Sequence, residues 1–290
     1  MHFMFQKTFV VDPRYFQVIF QALFLCYGIL YLDWDADWRH YTISICGCLV
    51  FQYVASSVSA KRFMAPREFN QWGFSVLISA MSLALLLKTN HWYISLLATL
   101  LTVASKYMIR VNRKHIFNPS AFGIISTILI TQDAWLSPGQ WGSNAVIFFS
   151  AVTLGTIVVT RVQKLDISLA FLLTFIGLLY WRQVYILHWP LDYFVHSLST
   201  GSLLLFTFFM ISDPRTSPNH STARILWAML IAFASFYLSA FKWMYNTPVW
   251  VLVAAAPLVP VFDKIFKAEI FQWDHSRYDL FNSQNLKLQS

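Results

Sequence analysis

The chain has 290 residues, of which 57% are hydrophobic types, 18% aromatic and only 12% charged. A soluble domain carries about 25% charged residues, and a soluble fold of this size could not hide so much apolar surface. With a formal charge of +8 and three cysteines, the composition excludes a disordered chain, a uniformly basic nucleic-acid-binding domain and a disulfide-stapled module. What remains is an all-α, polytopic integral membrane protein.

The first residues, MHFMFQKTFVVDPRYF, lack the basic, apolar and small-residue order of a cleavable signal, and Asp12-Pro13 opens the first span. Ten apolar segments lie roughly at 15–32, 41–60, 71–88, 91–108, 119–131, 144–160, 167–187, 194–212, 222–241 and 248–263. Crossing a bilayer takes about 20 residues. The fifth and tenth segments are short and carry proline: Pro119 begins one, and Pro257 and Pro260 interrupt the other. Broken or re-entrant helices enclosed by protein are therefore expected there. Short, Pro-interrupted segments in corresponding places suggest a 5+5 inverted repeat, although no residue-level repeat is visible. The chain reads as one membrane domain, residues 1–290, with a transmembrane core at 15–263 and a polar cytoplasmic tail at 264–290.

Lysine and arginine supply the orientation. With ten spans and a cytoplasmic N-terminus, 17 of the 21 basic residues fall on the cytoplasmic side and 4 on the other: Arg39, Lys88, Arg182 and Lys242. Removing one span scrambles this alternation, so count and orientation support each other. Both termini are expected in the cytoplasm, across a bacterial inner membrane.

The first outer loop, LDWDADWRH (32–40), offers Trp34 and Trp38 as interface anchors. Asp33, Asp35 and Asp37 alternate, a pattern that fits a solvated loop or carboxylates gathering a cation. Cys26, Cys46 and Cys48 all lie in apolar stretches. Cys46-x-Cys48 has no second ligand pair, so small buried hydrophobes are the expected reading.

Two segments carry most of the information. In SKYMIRVNRKHIFNPSAFGI (105–124), Asn118 is placed to cap a helix and Pro119 to occupy its first position, where a missing N–H costs nothing. Arg110, Arg113 and Lys114 serve topology alone, or face anionic lipid or an acidic partner. In HSLSTGSLLLFTFFMISDPRTSPNHSTAR (196–224), Ser197, Ser199, Thr200, Gly201 and Ser202 open the eighth span and permit close helix approach. The span ends at Ser212-Asp213-Pro214. Asp213 could cap a turn, pair with a basic residue, or sit on an ion or proton route.

HIFNPSAFG resembles the N-[IL]-F-N-P-A segment of the NqrB/RnfD family. HSLSTGSLLLFTFFMISDPRTSP resembles that family's H-L-x-x-G…F-F-M-A-T-D-P-x-[ST]-x-P segment, and Trp181-Arg182 matches a W-R pair between the two. The resemblance covers roughly residues 40–265. It implies ten helices with cytoplasmic ends, and a membrane subunit of sodium-pumping NADH:quinone oxidoreductase or of the Rnf ferredoxin:NAD complex. Full-length members carry FMN on a threonine in a G-S-x-G-E-T-S-x-L-A stretch. The corresponding stretch here, LGTIVVTRVQKLDISLAFLL (154–173), has Gly155, Thr156 and Ser168-Leu169-Ala170 but no Gly-Glu-Thr core. Thr160 or Ser168 is left as a substitute, and covalent FMN is not the expectation. The chain resembles a short, divergent member of the UnbU-like kind.

The resemblance implies FMN or a quinone as cofactor, partner subunits that supply NADH or ferredoxin chemistry, and cofactor contacts among Asn118, Pro119, Ser168, His196, Gly201, Asp213 and Thr216. Asn118 and Asp213 would position helix ends, Gly201 would leave room for a flat ring, and His196 would be a polar contact. A helix following Asn118 would also favour an anionic headgroup or phosphate. His40, His91 and His188 are read as loop-edge residues and His115 and His220 as ordinary loop residues, which argues against an axial haem pair. No GxGxxG, P-loop, HExxH or G-x-S-x-G motif is present. The alternatives are a transporter or channel without a cofactor, or a membrane scaffold, on the same fold.

Overall fold

The computed structural model describes residues 13–34, 37–65, 68–111, 114–137, 156, 160 and 164–269. The apolar segment at 144–160 therefore lies almost wholly outside the described residues, as do Asp35, Arg67, Arg113, Gly155 and the tail from residue 270 onward.

The described helices are α1 (Pro13–Tyr31), α2 (Trp38–Ala60), α3 (Phe69–Leu86), α4 (Trp92–Met108), α5 (Pro119–Thr131), α6 (Leu165–Tyr180), α7 (Leu191–Leu198), α8 (Gly201–Leu205), α9 (Ser221–Lys242), α10 (Thr247–Ala255) and α11 (Val259–Ile265). The fold is all-α, with two small antiparallel ladders as connectors. One joins β1 (Leu87–Thr89) to β4 (Ala134–Leu136), and the other joins β2 (Arg110–Val111) to β3 (Lys114–His115). Among the described residues, four helical stretches are long and apolar enough to cross a membrane: Trp38–Ala60, Leu165–Ile186, Ser221–Lys242 and Thr247–Ile265.

Local chemistry explains the boundaries. Asp37 accepts hydrogen bonds from the Arg39 and His40 N–H groups, both at 3.1 Å, and starts α2. Lys61 ends α2 in the left-handed region. Asn118 accepts from the Ala121 N–H at 3.2 Å, and Pro119 follows at the first helical position. As expected from the sequence, α5 is short, at 13 residues. The last helix bends where Ala256–Leu258 tightens into a 3₁₀ turn at Pro257.

The eighth apolar segment is not one helix. It breaks at Ser199-Thr200, between α7 and α8, and α8 then widens into a π-helix over Phe206–Met210. A second π-helical stretch, Trp181–Ile186, ends the α6 rod. Neither is visible as a pattern of prolines. Such irregular backbone survives at membrane depth only where neighbouring protein satisfies it.

Helix packing relies on small residues. A Cβ on Gly47 of α2 would stand 2.9 Å from Thr99 Oγ1 of α4. A Cβ on Gly123 of α5 would collide with the Thr102 hydroxyl, also on α4. The apolar core is continuous, with Phe171, Phe206, Trp227 and Ile124 among its buried side chains.

Loops that alternate in sequence gather at two ends. At the basic end, Lys114 meets Ser217, Asn219 and Asp263, Lys164 meets Pro218, and Arg224 meets Asp166. At the opposite end β1 pairs with β4, Asn246 bridges Leu136 and Ser202, and Arg182 donates to the Ala240 carbonyl.

The anchoring loop differs from its sequence reading. Trp34 packs edge-on to Phe24 at 5.5 Å and its backbone folds back on Gly28. Trp38 is exposed, as an interface anchor would be. His40 is not a loop-edge residue but a buried one, with Nδ1 2.8 Å from Ser95 Oγ and Nε2 3.3 Å from the Leu83 carbonyl. Cys48 is buried, whereas Cys46 and Cys26 are exposed. Two residues apart on a helix lie about 200° around it, so Cys46 and Cys48 face opposite ways.

Candidate functional site at the basic end

The two informative segments meet. The cleft they form holds His115, Asn118, Pro119 and Ser120 from the α5 approach and Phe208, Phe209, Ser212, Asp213, Pro214 and Arg215 from the end of the π-helix. Arg14 and Gln17 of α1, and Ser75, Ser79 and Ser82 of α3, close the other sides. The space amounts to about 70 Å³. That is room for a few waters or a small ion, well below the roughly 300–1,000 Å³ of sites for drug-sized molecules.

Asn118 is the mechanical centre. Its Oδ1 caps α5 and also accepts from Ser120 Oγ at 2.8 Å, while its Nδ2 donates to the Met210 carbonyl at 3.4 Å. Ser168 donates to the Thr207 carbonyl at 2.7 Å. Both acceptors belong to the π-helical stretch, so Asn118 from the start of α5 and Ser168 from α6 each bond its main chain. The π-helix and the capped α5 are thereby locked together.

Asp213 caps its own turn. Its Oδ1 accepts from the Arg215 N–H at 3.0 Å, and its main-chain carbonyl accepts from the Thr216 and Ser217 N–H groups. Thr216 is buried in this turn. Of the seven residues expected to contact a cofactor, Asn118, Pro119 and Asp213 line the cleft, and Thr216 lies beside it. Ser168 reaches the π-helix from α6. Gly201 is buried at the start of α8, outside the cleft lining. His196 is exposed in the last turn of α7, beyond the helix break, rather than inside a continuous eighth helix.

The sequence reading missed three basic groups. His115 is a buried wall of the cleft, not an ordinary loop residue. Burial pushes its pKa down to about 4; Asp213 opposes this, and Lys106, Arg215 and Arg110 reinforce it. Lys106, counted as a loop charge, is buried in the last turn of α4. Its Nζ donates to Gln52 Oε1 at 3.3 Å, and Gln52 in turn donates to the Tyr107 hydroxyl at 2.6 Å and to Ser56 Oγ at 3.2 Å. Its place within the 91–108 span was the available signal, because a cation inside a span needs a polar partner. Lys164 is buried at the start of α6 and donates to the Pro218 carbonyl at 3.4 Å. Burial first, then Arg224 and Lys114, push its pKa down to about 7.

The turn after Asp213 is held by three cations on three consecutive carbonyls. Lys114 takes Ser217 O, Lys164 takes Pro218 O, and Arg224 takes Asn219 O at 2.6 Å. Arg224 also grips Asp166, with Nη2–Oδ2 at 2.6 Å and Nε–Oδ2 at 2.8 Å.

The model of the NQR2, RnfD, RnfE family matches residues 128–272, half of the chain, including the whole of the Asp213 segment. The chain belongs to the NQR2, RnfD, RnfE family. No curated protein matches it. Membership makes it a membrane subunit of the Rnf/Nqr type. The Asn118 segment lies outside the matched range, yet it packs directly on the matched one.

The residues present do not fit a covalent flavin of the NQR2/RnfD kind at Ser168. Ser168 is 1% exposed and its hydroxyl donates to the Thr207 carbonyl, so a phosphoester there would break that bond and open the contact between α6 and the π-helix. Thr160 is exposed and donates to the Thr156 carbonyl at 2.7 Å, with residues 157–159 and 161–163 outside the described set.

Proposed function

We propose that the chain is the membrane subunit of an Rnf- or Nqr-type electron-transport assembly in the bacterial inner membrane, its basic end and both termini in the cytoplasm. The observation that carries this reading is the convergence of both motifs on one charge-lined cleft at the basic end. In it a neutral imidazole, His115, lies near a carboxylate, Asp213, among cations. Such an arrangement can accept and release a proton as nearby charge changes. We assign the cleft to coupling, and the NADH or ferredoxin chemistry to partner subunits. A flavin or quinone needs more room than this space has, so we place any cofactor contact of the chain outside this cleft.

The runner-up is a cofactor-free transporter or membrane scaffold. It is favoured by the sequestered Ser168 hydroxyl and by the helix break and π-helix, which suit a moving pathway equally well.

The test is purification of the chain from its host with its neighbours, an absorbance spectrum and intact mass before and after acid precipitation, and coupled electron transfer in the Asp213→Asn variant. The expected result is co-purification with redox subunits and a loss of about tenfold or more in coupled activity, as for removal of a proton-transfer group, with assembly intact. A colourless chain that purifies alone at its apo mass would overturn the redox reading in favour of transport or scaffolding.

A further inference from the structure

The end opposite the basic one holds a buried imidazole between three helices. His40 lies in the first turn of α2 and is 1% exposed. Its Nε2 stands 3.3 Å from the Leu83 carbonyl of α3, and its Nδ1 stands 2.8 Å from Ser95 Oγ of α4. Ser95 is fully buried, and its Oγ lies 2.8 Å from Thr89 Oγ1 of β1. Thr89 is half-buried, and Asn90 beside it is exposed. Two hydroxyls therefore lead from the surface to the ring.

The directions of these bonds follow from one acceptor. A carbonyl only accepts, so Nε2 carries a hydrogen. In a neutral imidazole Nδ1 is then bare, and it accepts from Ser95. The Ser95 hydrogen is spent on the ring, so Thr89 donates to Ser95. Adding a proton to the ring reverses both hydroxyl bonds and breaks neither. Nδ1–H then donates to Ser95 Oγ, Ser95 donates to Thr89, and the Thr89 hydrogen turns outward. The bond to Leu83 stays. The charged ring keeps a partner on each nitrogen, as a buried charge requires, and the end stays joined in both states.

The charged surroundings are few. Asp37 caps α2 through the Arg39 and His40 N–H groups, and the Arg39 side chain is exposed. Lys88 of β1 stands over the Tyr41 ring at 5.5 Å. Asp37 and Lys88 act on the imidazole with opposite sign. α3 carries no titratable side chain, and His91, ahead of α4, stacks on Tyr93.

We propose that Thr89, Ser95 and His40 form a proton-binding relay that opens on the side opposite the basic end. A proton reaching Thr89 Oγ1 from a water-borne acid releases the Thr89 hydrogen to Ser95 Oγ. The Ser95 hydrogen passes to His40 Nδ1. Each hydroxyl ends with one hydrogen, and the ring gains one proton and one positive charge. The chain thereby registers the acidity of that side. The inference does not rest on the redox reading. A purely structural histidine would make the same bonds and take no proton while the chain is folded.

The experiment is imidazole nitrogen NMR on the detergent-solubilised full chain with isotope-labelled histidine, titrated from neutral to mildly acid pH, with circular dichroism reporting the fold. His40 is identified by its absence from His40→Gln, or by backbone connectivity where that variant does not fold. At neutral pH His40 should carry its hydrogen on Nε2 with Nδ1 bare. On acidification Nδ1 should gain a hydrogen while the fold is retained. Exchange between the two forms should slow by about a hundredfold in Thr89→Val, and Thr89→Ser should restore it. Where Thr89→Val does not fold, Ser95→Ala should show the same slowing. A ring that stays singly protonated until the chain unfolds would overturn the proposal and leave a structural pin. A neutral ring with its hydrogen on Nδ1 would overturn it too, as would unchanged exchange in the variant that lacks a hydroxyl.

Discussion

The two ends of the bundle are held by different chemistry. At the opposite end main-chain pairing and side-chain amides carry most of the connection: β1 pairs with β4, Asn90 meets Asp133, and Asn246 bridges Leu136 and Ser202 through its amide, with Arg182 adding a bond to the Ala240 carbonyl. At the basic end side-chain cations carry it, with Lys114, Lys164 and Arg224 each bonded to a carbonyl of one turn. Backbone pairing does not titrate, and amide bonds respond weakly to salt. Buried cations respond to pH and to the loss of a single carboxylate. The end that carries the cleft is thus also the end whose stability depends on charge.

The largest effect is expected at Asp166. Asp166→Ala leaves Arg224 with its side chain only 13% exposed and no carboxylate, which costs about 3 kcal/mol. Thermal unfolding should show a large drop in Tm, and limited proteolysis should cut first near 213–220. An unchanged Tm would mean that the turn does not need its charge clamp.

Next comes acid. The His115 pKa falls from its ordinary 6.5 to about 4 in the folded chain. The unfolded chain binds the proton first, so folded stability is lost as pH falls from about 6.5 to 4 and is fully present above that window. His115→Gln should flatten the pH dependence of Tm there, and an equally steep profile in the variant would remove His115 as its source.

Lys164 acts in the same sense at higher pH. Its folded value of about 7 lies below the ordinary 10.5, so wild-type stability rises with pH between these limits. Lys164→Met removes the buried charge. The variant should gain on wild type at pH 6, and the difference should shrink towards pH 10. A pH-independent difference would contradict a charge-based origin.

Asn118→Ala should cost about 1–2 kcal/mol through the lost cap and expose the π-helix to faster hydrogen exchange around Met210. The smallest effect belongs to the opposite end. Asn246 adopts φ 52°, and Asn246→Gly keeps that conformation while losing both side-chain bonds, at about 1 kcal/mol. Its Tm change should not vary with pH, and a pH-dependent change would break the contrast between the ends.

Parts of the site were legible in the residues. Asn118-Pro119 announced a capped helix start, because the cap and the missing proline N–H act within one turn. Asp213-Pro214 announced a helix end for the same local reason. The fusion of α7 and α8 into one expected span shows the limit. Ser199 and Thr200 are tolerated in helices, and no periodicity marks the break. His115, Lys106 and Lys164 were hidden for another reason. A charge count assigns a side to a lysine or histidine but not a depth.

Composition, apolar segment lengths and charge alternation determined that the chain is an all-α membrane protein, because the bilayer acts on each segment separately. Helix starts were determined as locally. Tertiary structure alone decided that His115 and Asn118 face residues 208–215, that Ser168 and Asn118 occupy the carbonyls of a π-helix, and that three cations close on the 217–219 turn. These contacts join residues dozens of positions apart, and a sequence carries no local signal for which carbonyl a distant side chain will reach.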